Sequence, residues 1–334
     1  MNQEIKRCRN CLLPENFPGV KFDENGICNH CLNFKGVENL DKKKQEYRKR
    51  FEDLVAEHKG KYSYDALMGY SGGKDSTYTL FLLKKEYGLN PLAVTFDNGF
   101  LPPQTIQNIQ TVTDELGIDH ILFKPRFDMM KKIFRESSRR NIYSAQTLTR
   151  ASTICNSCMN IVKFGSLRMA IEKRIPFIVF GWSPGQIPIT SSVMKNNPKI
   201  IRMMQKAVFD PLHELVGDDI KPYFLEEEHF KGEDRFPFNI SPLAFSEYDE
   251  EKIFAKVFAM GWNVPQDIDA NTTNCLLNSF ANIVHKDRYG YHPYVFEMAK
   301  LVREGHLTRD KALKKITEPE NPKTVEMARK KLNL

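Results

Sequence analysis

The chain has 334 residues, which is enough for about two domains. Hydrophobic residues make up 41% and charged residues 27% of the sequence, a globular balance that excludes a disordered, collagen-like or coiled-coil protein. The net charge of +7 fits an anionic substrate such as a nucleotide, but it is too small to demand nucleic acid. No apolar run of about 20 residues and no signal peptide is evident, so we expect a cytoplasmic protein without a membrane span.

Predicted helices and strands alternate along the first half of the chain. The first helix covers 38–58, because apolar residues recur there at helical spacing. The elements predicted after it are, in chain order, strand 65–70, helix 76–86, strand 92–96, helix 103–116, strand 120–123, helix 127–137, helix 161–173 and strand 176–181. This alternation predicts an α/β fold built on a doubly wound parallel sheet with helices on both faces.

The sequence divides into four parts. Residues 1–35 are rich in cysteine and form a predicted zinc-ribbon-like module, and 36–182 contain the α/β core. Residues 183–245 contain several prolines and an acidic run, so we interpret them as a less regular insertion or lid. Residues 246–334 are predicted to be mainly helical and to complete the site.

Four of the seven cysteines have the spacing of a structural zinc site. They form two C-x-x-C pairs separated by a loop, namely Cys8, Cys11, Cys28 and Cys31. A segment of about 30 residues cannot bury enough apolar surface to fold alone, so a bound Zn²⁺ would stabilise it. His30 could replace one of these ligands, and the alternative is a set of free thiols. A closed four-thiolate site has no open position, so we expect no catalytic role.

The three remaining cysteines are Cys155, Cys158 and Cys275. Three thiolates could hold a [4Fe–4S] cluster and leave one iron free. They could equally be a redox pair with an unrelated third thiol, or small side chains packed in a core. Spacing alone leaves these three interpretations open.

The segment 71–76, with the sequence SGGKDS, follows a predicted strand and begins a predicted helix. Small residues allow backbone N–H groups to turn inward, and the helix N-terminus attracts an anion. The segment differs from the G-x4-G-K-[ST] pattern of a Walker A loop because its glycines are adjacent. It resembles the PP-loop of the N-type ATP pyrophosphatases.

This resemblance implies a fold of the adenine nucleotide alpha-hydrolase (HUP) type, with ATP and Mg²⁺ as cofactors. A carbonyl or amide oxygen of the substrate would attack the α-phosphate, pyrophosphate would leave, and a nitrogen or sulfur nucleophile would then displace AMP. The residues implied to hold the pyrophosphate portion are Ser71, Gly72, Gly73, Lys74, Asp75 and Ser76. Of these, Lys74, Asp75 and Ser76 are the candidate catalytic residues, with Asp75 placing Mg²⁺.

Ligands of open parallel sheets bind at the carboxyl ends of the strands. The strand predicted at 92–96 ends at Phe96 and Asp97, which we therefore expect near the nucleoside. A solvated turn is the alternative. The turn 181–186, which begins at Gly181, follows the strand predicted at 176–181 and could close over the adenylate.

The order of motifs along the chain resembles the N-acetyl sugar amidotransferases of surface-polysaccharide (lipopolysaccharide) biosynthesis. These motifs are the cysteine pairs of 8–31, the loop 71–76, the pair 155–158, and the segments 274–278, 290–294 and 301–305. The resemblance implies that a free or nucleotide-linked N-acetyl sugar is converted to an acetamidino sugar with ammonia. No glutaminase segment is evident, so ammonia would come from a separate glutaminase partner.

The thiols at 155, 158 and 275 also resemble the three cluster ligands of iron–sulfur tRNA 2-thiolation enzymes, in which the free iron carries sulfur to an adenylated base. The alternative function is therefore sulfur transfer to tRNA or to a small molecule. The small basic excess and the absence of a second four-cysteine zinc module favour amidation instead. A nucleotide-binding module without turnover is the third hypothesis, and the intact PP-loop disfavours it. An oligomer is compatible with the sequence.

Two smaller expectations concern the C-terminal region. His292 could act as a general base, and Arg288 could pair with an acidic sugar or a phosphate, although a structural histidine is the more common case. The stripe of Phe254, Val257, Phe258 and Trp262 has helical spacing and is predicted to be core.

Overall fold

The computed structural model describes residues 5–266, 268–269, 272 and 274–334. The predicted parts 1–35 and 246–334 therefore each include positions outside the described residues. The strands are β1 Ala66–Gly69, β2 Pro91–Phe96, β3 His120–Phe123, β4 Phe177–Phe180, β5 Val193–Lys195 and β6 Phe238–Ile240. The α-helices are α1 Asn29–Leu32, α2 Val37–His58, α3 Lys74–Phe81, α4 Pro103–Leu116, α5 Phe127–Arg139, α6 Thr153–Glu172, α7 Pro198–Val216, α8 Glu250–Ala259, α9 Asn278–Tyr289, α10 Val295–Arg303, α11 Arg309–Thr317 and α12 Pro322–Leu332.

Short helical turns lie between or after these elements. A π-helical turn, Leu82–Glu86, continues α3. Single 3₁₀ segments lie at Thr147–Thr149, Ile189–Ser191, Gly217–Tyr223, Glu227–Lys231, Glu233–Arg235 and Pro242–Ala244. None of the helices in the described parts of the chain is long and apolar enough to cross a membrane.

The six strands form one sheet in the order β3-β2-β1-β4-β6-β5. All neighbouring pairs are parallel except the edge pair of β5 and β6. Successive side chains of a strand point to opposite faces of its sheet. Ala66 and Met68 accordingly pack with side chains of α2, α3 and α4, whereas Leu67 packs with α5, α6 and α7. The predicted doubly wound α/β fold is confirmed, and a four-cysteine cluster precedes it.

The structure corrects one predicted helix boundary that matters for the site. Helix α6 begins at Thr153, not at 161. The side chain of Ser152 caps it by accepting a hydrogen bond from the backbone N–H of Cys155. Because helix formation starts this early, Cys155 and Cys158 lie on the first turns of α6 rather than in a loop.

The segment 183–245 is more regular than we expected. It supplies β5 and β6, which extend the sheet, and the 19-residue helix α7. Pro198 does not prevent this helix, because it occupies the first turn, where no backbone N–H is required. The side chain of Asn197 caps the same end. Its role as a lid remains a prediction.

The cysteine-rich N-terminal segment packs on the C-terminal region. The ring of Phe17 stacks on Phe296 with 5.4 Å between ring centres and lies 5.1 Å from Tyr291. Asn16 donates a hydrogen bond to the backbone oxygen of Gly290 at 3.1 Å. The segment 290–294, part of the motif order described above, is therefore held in place by contacts with the cysteine-rich module.

Candidate functional site

The loop 71–76 lies where the order of the sheet reverses. Strand β1 pairs with β2 on one side and with β4 on the other, and the chain proceeds outward in both directions from this pair. Such a switch point leaves a crevice at the carboxyl ends of the strands. Gly72 has φ +74°, a left-handed conformation that favours glycine, and α3 begins at Lys74. The N-terminus of α3 is therefore directed at the crevice.

The loop is held in shape from within and from the C-terminal region. The hydroxyl oxygens of Ser71 and Ser76 lie 3.0 Å apart, and Ser76 also donates to the backbone oxygen of Gly73 at 3.0 Å. From the far end of the chain, Trp262 donates its indole N–H to the backbone oxygen of Gly72 at 2.8 Å. Asn274 donates to the backbone oxygen of Ser71 at 3.1 Å. Residues distant in sequence thus fix the backbone that would contact phosphates.

Gly181 makes a close approach possible between β4 and the loop. A Cβ atom at this position would lie 2.7 Å from Cα and 2.8 Å from the backbone N of Ser76. Both contacts are with main-chain atoms, which cannot move aside as a flexible side chain can. Any larger residue would push the end of β4 away from the start of α3.

A cavity of about 300 Å³ opens at this edge of the sheet. Its wall includes several predicted site residues: Ser71, Gly73, Asp75, Ser76, Phe96, Gly181, Cys155, Cys158 and Cys275. Apolar side chains such as Val94, Phe180 and Trp182 cover much of the remaining wall. The structure therefore brings the loop and all three later cysteines to one cavity, whereas Gly72, Lys74 and Asp97 do not line it.

Lys74 faces a second, smaller cavity of about 150 Å³, and Asp75 lines both cavities. The Lys74 ammonium lies 2.9 Å from an oxygen of Asp75 and 3.3 Å from one of Glu250. Burial by itself lowers the pKa of Lys74, but Asp75, Tyr248 and Glu250 more than offset this and hold the pKa well above its ordinary value. Lys74 is thus positively charged, and it forms an ion pair with the carboxylate of Asp75, which lines both cavities.

The second cavity also contains a buried carboxyl group that the sequence analysis missed. Glu297 accepts a hydrogen bond from the hydroxyl of Ser183 at 2.7 Å. Burial raises the pKa of Glu297 to about 7, and the negative charge of Asp75 contributes in the same direction. Glu297 therefore carries its proton below about pH 7 and loses it above that pH, close to the loop.

Asp97 has a different setting from its neighbour Phe96. Its carboxylate accepts the backbone N–H of Gly99 at 2.8 Å and lies 3.5 Å from the ammonium of Lys124. Asp97 does not line the cavity, and it is not solvated either, because its side chain is only 17% exposed. Phe96 lines the cavity and packs edge-on against Phe123, and its contact with a nucleoside stays a prediction.

We call Cys155, Cys158 and Cys275 the thiol trio. The side-chain N–H₂ group of Asn98 lies 3.4 Å from the sulfur of Cys158 and 3.9 Å from that of Cys275. The sulfur of Cys155 lies 4.0 Å from the side-chain oxygen of Asn278. Burial raises the pKa of Cys155 and of Cys158 to about 12, and it also raises that of Cys275.

The N-terminal cysteines are arranged differently, and we call Cys8, Cys11, Cys28 and Cys31 the cysteine quartet. Its four sulfur atoms lie within 4.8 Å of one another, with 3.9 Å between Cys8 and Cys31 and 3.5 Å between Cys11 and Cys28. In the described parts of the chain, no other group of three or more Cys, His, Asp or Glu ligands is this compact. The quartet can hold a single metal ion. His30 does not join it and packs edge-on against Phe296.

The core prediction for the stripe that begins in α8 is confirmed for Val257 and for Trp262 just after the helix, which are buried, but it is wrong for Phe258, which is 48% exposed. Sequence reasoning also missed the hydrogen bond from Trp262 to the loop. Asn98 had a detectable signal, because it follows β2 at the ligand-binding edge of the sheet. The contacts of Tyr248 and Glu250 with Lys74 had no local signal, because they depend on how the C-terminal region folds back.

The central part of the chain is similar to a known protein family. Residues 65–181 match the family model described as Phosphoadenosine phosphosulfate reductase domain. An uncharacterized protein of Methanocaldococcus jannaschii is 26% identical over 308 residues, which cover 92% of this chain and 91% of that protein. The solved structure of the U34-tRNA thiolase NcsA from Methanococcus maripaludis with its [4Fe–4S] cluster aligns with 99% of this chain and 89% of its own, at 15% identity and a TM-score of 0.39. The family match begins at β1, ends after β4 and contains the loop 71–76.

Proposed function

We propose that this chain is an ATP pyrophosphatase that adenylates an oxygen atom of its substrate, because residues 65–181 match the reductase-domain family model and contain the PP-loop-like segment 71–76. The loop 71–76 and the N-terminus of α3 would hold the pyrophosphate portion of ATP. Asp75 would place Mg²⁺, which neutralises charge on the phosphates during the displacement. Lys74 would act through Asp75, because its ammonium pairs with that carboxylate rather than lining the larger cavity. The apolar wall around Phe96 would accept the nucleoside.

We propose further that the second step is sulfur transfer, with a [4Fe–4S] cluster held by the thiol trio. One observation supports this above all others: the thiol trio and the PP-loop line the same cavity. A redox pair with an unrelated third thiol would give no reason for Cys275, which is far away in sequence, to share the wall with the other two. Core packing would give no reason for three thiols to face the site of adenylation.

The donor set fits such a cluster. The trio is less compact than the quartet, as expected when the ligands bind several metal ions instead of one. Three thiolates leave one iron without a protein ligand, and that iron supplies a position for hydrosulfide when the cluster is bound. Asn98 would donate a hydrogen bond to the ligand sulfurs and keep Cys158 and Cys275 in place. Apolar side chains on the wall would keep water from the adenylated intermediate.

The reaction is balanced without an external oxidant or reductant. A carbonyl oxygen of the acceptor attacks the α-phosphorus, pyrophosphate leaves, and the oxygen then carries AMP. Hydrosulfide attacks the same carbon, the C–O bond breaks as AMP leaves, and a C=S bond replaces C=O with the loss of one proton. The acceptor would be a base of tRNA or a small molecule with a comparable carbonyl group.

The cysteine quartet would hold Zn²⁺ and stabilise the N-terminal module. Zn–S bonds of about 2.3 Å in a tetrahedron separate the sulfurs by about 3.8 Å, close to the 3.5 and 3.9 Å found between its pairs. The quartet lies outside the cavity and is largely buried. Its role would therefore be structural.

Amidation of an N-acetyl sugar, our first expectation from the sequence, is the second candidate. The observation in its favour is that the segment 290–294, part of the resemblance to the amidotransferases, contributes Tyr294 to the cavity wall. In that case ammonia, supplied by a partner glutaminase, would displace AMP and leave an amidine. The same PP-loop chemistry would serve both candidates, so only the nucleophile and the acceptor distinguish them.

A single assay separates the candidates. Protein purified without oxygen is incubated with labelled ATP and either tRNA plus sulfide or an N-acetyl sugar plus ammonia. Sulfur transfer predicts AMP and pyrophosphate only with sulfide, from protein that contains iron and inorganic sulfide. Turnover by iron-free protein would refute the cluster, AMP formation only with ammonia and the sugar would establish amidation, and release of ADP would refute the pyrophosphatase chemistry altogether.

A further inference from the structure

One face of α9 carries polar side chains in the interior of the protein. Asn278, Asn282 and His285 follow one another at intervals of four and three residues, so they lie on the same side of the helix. They are 4%, 0% and 1% exposed. We call these three residues the polar stripe.

Most polar atoms of the stripe have no hydrogen-bond partner among the residues that the structure describes. These atoms are the side-chain nitrogen of Asn278, both amide atoms of Asn282 and both ring nitrogens of His285. A buried polar group without a partner is destabilising, and most such groups in proteins bind another group or an ordered water. Unpaired polar atoms at three successive positions on one helix face therefore point to a ligand that binds there.

The inner end of the stripe reaches the large cavity. Asn278 lines that cavity, and its side-chain oxygen accepts a hydrogen bond from the hydroxyl of Tyr294 at 2.9 Å. The same oxygen lies 4.0 Å from the sulfur of Cys155. The stripe thus ends at Cys155 of the thiol trio.

The outer part of the stripe faces aromatic rings and carries no charge. The ring of His285 lies 5.2 Å from that of Tyr291 and 4.7 Å from that of Tyr289. Burial lowers the pKa of His285 to about 4, with a further contribution from Arg288. A neutral imidazole offers one donor and one acceptor, and an amide offers both as well. This combination suits a small neutral molecule and gives an ion no counter-charge.

We propose that the polar stripe binds small neutral hydrogen-bonding molecules, which are water at rest and the small nucleophile during turnover, and that it leads this nucleophile to the thiol trio. The second half of this inference rests on the proposed function. Nucleotide and acceptor would together fill the large cavity, so a nucleophile entering by the same mouth would have to pass them. The stripe meets Cys155 at Asn278, and from there it extends through His285 toward the exposed Gly290 that follows α9. Water, hydrogen sulfide and ammonia share the required chemistry.

The first test is structural and independent of catalysis. Crystals of the full chain at a resolution that shows solvent are expected to contain ordered water within hydrogen-bond distance of both Asn282 and His285. Empty density beside unpaired side chains would overturn the inference, and so would a rearrangement in which protein groups satisfy both residues. The N282L variant should lose this water, because leucine has a similar size and no polar atom.

The second test measures delivery of the nucleophile. In N282L the KM for sulfide, or for ammonia if that is the nucleophile, is expected to rise about tenfold, the size expected for one lost hydrogen-bond partner, while the KM for ATP stays unchanged. H285F serves as a second variant in case N282L folds poorly. D287N, on the exposed side of α9, is the matched control and should behave like the wild type. An unchanged nucleophile KM in both stripe variants would overturn the delivery role.

Failure of the proposed function would look different. If the wild type forms no AMP with either nucleophile, the pyrophosphatase proposal fails, and the solvent test then decides the binding site by itself. If the wild type turns over but the stripe variants match it, the proposed function stands and the delivery role is rejected.

Discussion

The two sets of cysteines make opposite uses of the same side chain. The quartet is compact, largely buried and made from two pairs that are close in sequence, whereas the thiol trio is wider, lines a cavity and joins α6 to a residue more than a hundred positions away. A closed set of four ligands leaves no open position on the metal, so the bound metal can only stabilise the local fold. An incomplete set beside the loop 71–76, which we propose binds phosphate, would be able to take part in a reaction. The difference lies in what surrounds the thiols rather than in their C-x-x-C spacing, which the quartet and Cys155–Cys158 share.

The support around the two sets differs as well. The quartet is largely built by its own segment, where the backbone N–H of Cys28 donates to the sulfur of Cys8 at 3.2 Å. The trio depends on Asn98 from the end of β2 and on the early start of α6. If this comparison is correct, substitutions in the two sets should separate activity from stability.

The largest effect is expected for C158S. Serine is nearly isosteric but a poor ligand for iron, so turnover should fall by roughly a hundredfold or more while the thermal unfolding midpoint stays close to that of the wild type. AMP formation and iron content measure the first effect, and a melting curve measures the second. K173S, at the exposed end of the same helix, is the control. Full turnover by C158S would remove the trio from the reaction.

The converse is expected for C11S. Loss of one ligand from the quartet should release its metal and lower the free energy of unfolding by roughly 3 kcal/mol or more, because the module has little core of its own. Denaturant titration and metal analysis measure this, with N10S in the same module as the control. Residual activity at low temperature should remain near that of the wild type. A stable, metal-free C11S protein would contradict the structural role of the quartet.

The sequence predicted the quartet better than the trio for a physical reason. Ligands that a short loop brings together leave a spacing that can be read directly, and the same holds for the loop 71–76 between β1 and α3. The trio depends on Cys275, whose distance from Cys158 along the chain carries no information about their distance in space. The bonds of Trp262 and Asn274 to the loop were beyond prediction for the same reason. The strands β5 and β6 were missed because each has only three residues, too few for a periodic pattern.

Glu297 allows a further test of the comparison between the two cysteine sets. Its contribution to the free energy of unfolding depends on pH through its own ionisation, whereas that of the quartet depends on a bound metal. The pKa of Glu297 is raised in the folded protein to about 7, so the folded state binds a proton more tightly than the unfolded state does. This contribution is fully present below the ordinary pKa of a glutamic acid and is lost as the pH rises through about 7. It should amount to up to roughly 3 kcal/mol. Denaturant titrations between pH 4.5 and pH 8 should show this decline in the wild type.

The matched variant is E297Q, which keeps the shape and cannot ionise. Its stability should lack this part of the pH dependence, whereas C11S should retain it at a lower overall stability. An identical pH profile for E297Q and the wild type would show that another group is responsible for any decline.

The smallest effect is expected for N98A, which tests why the trio needs support from outside its own segment. Alanine removes the donor that Cys158 and Cys275 share. Loss of one hydrogen bond of this kind should reduce turnover by roughly tenfold and shift the reduction potential of the bound cluster, since hydrogen bonds to the sulfurs tune it. An electrochemical titration of N98A beside K124A, a substitution at an exposed neighbour of the same turn, measures the shift. If N98A shifts neither the potential nor the rate, the trio is positioned by its own helix and loop, and in that respect it resembles the quartet.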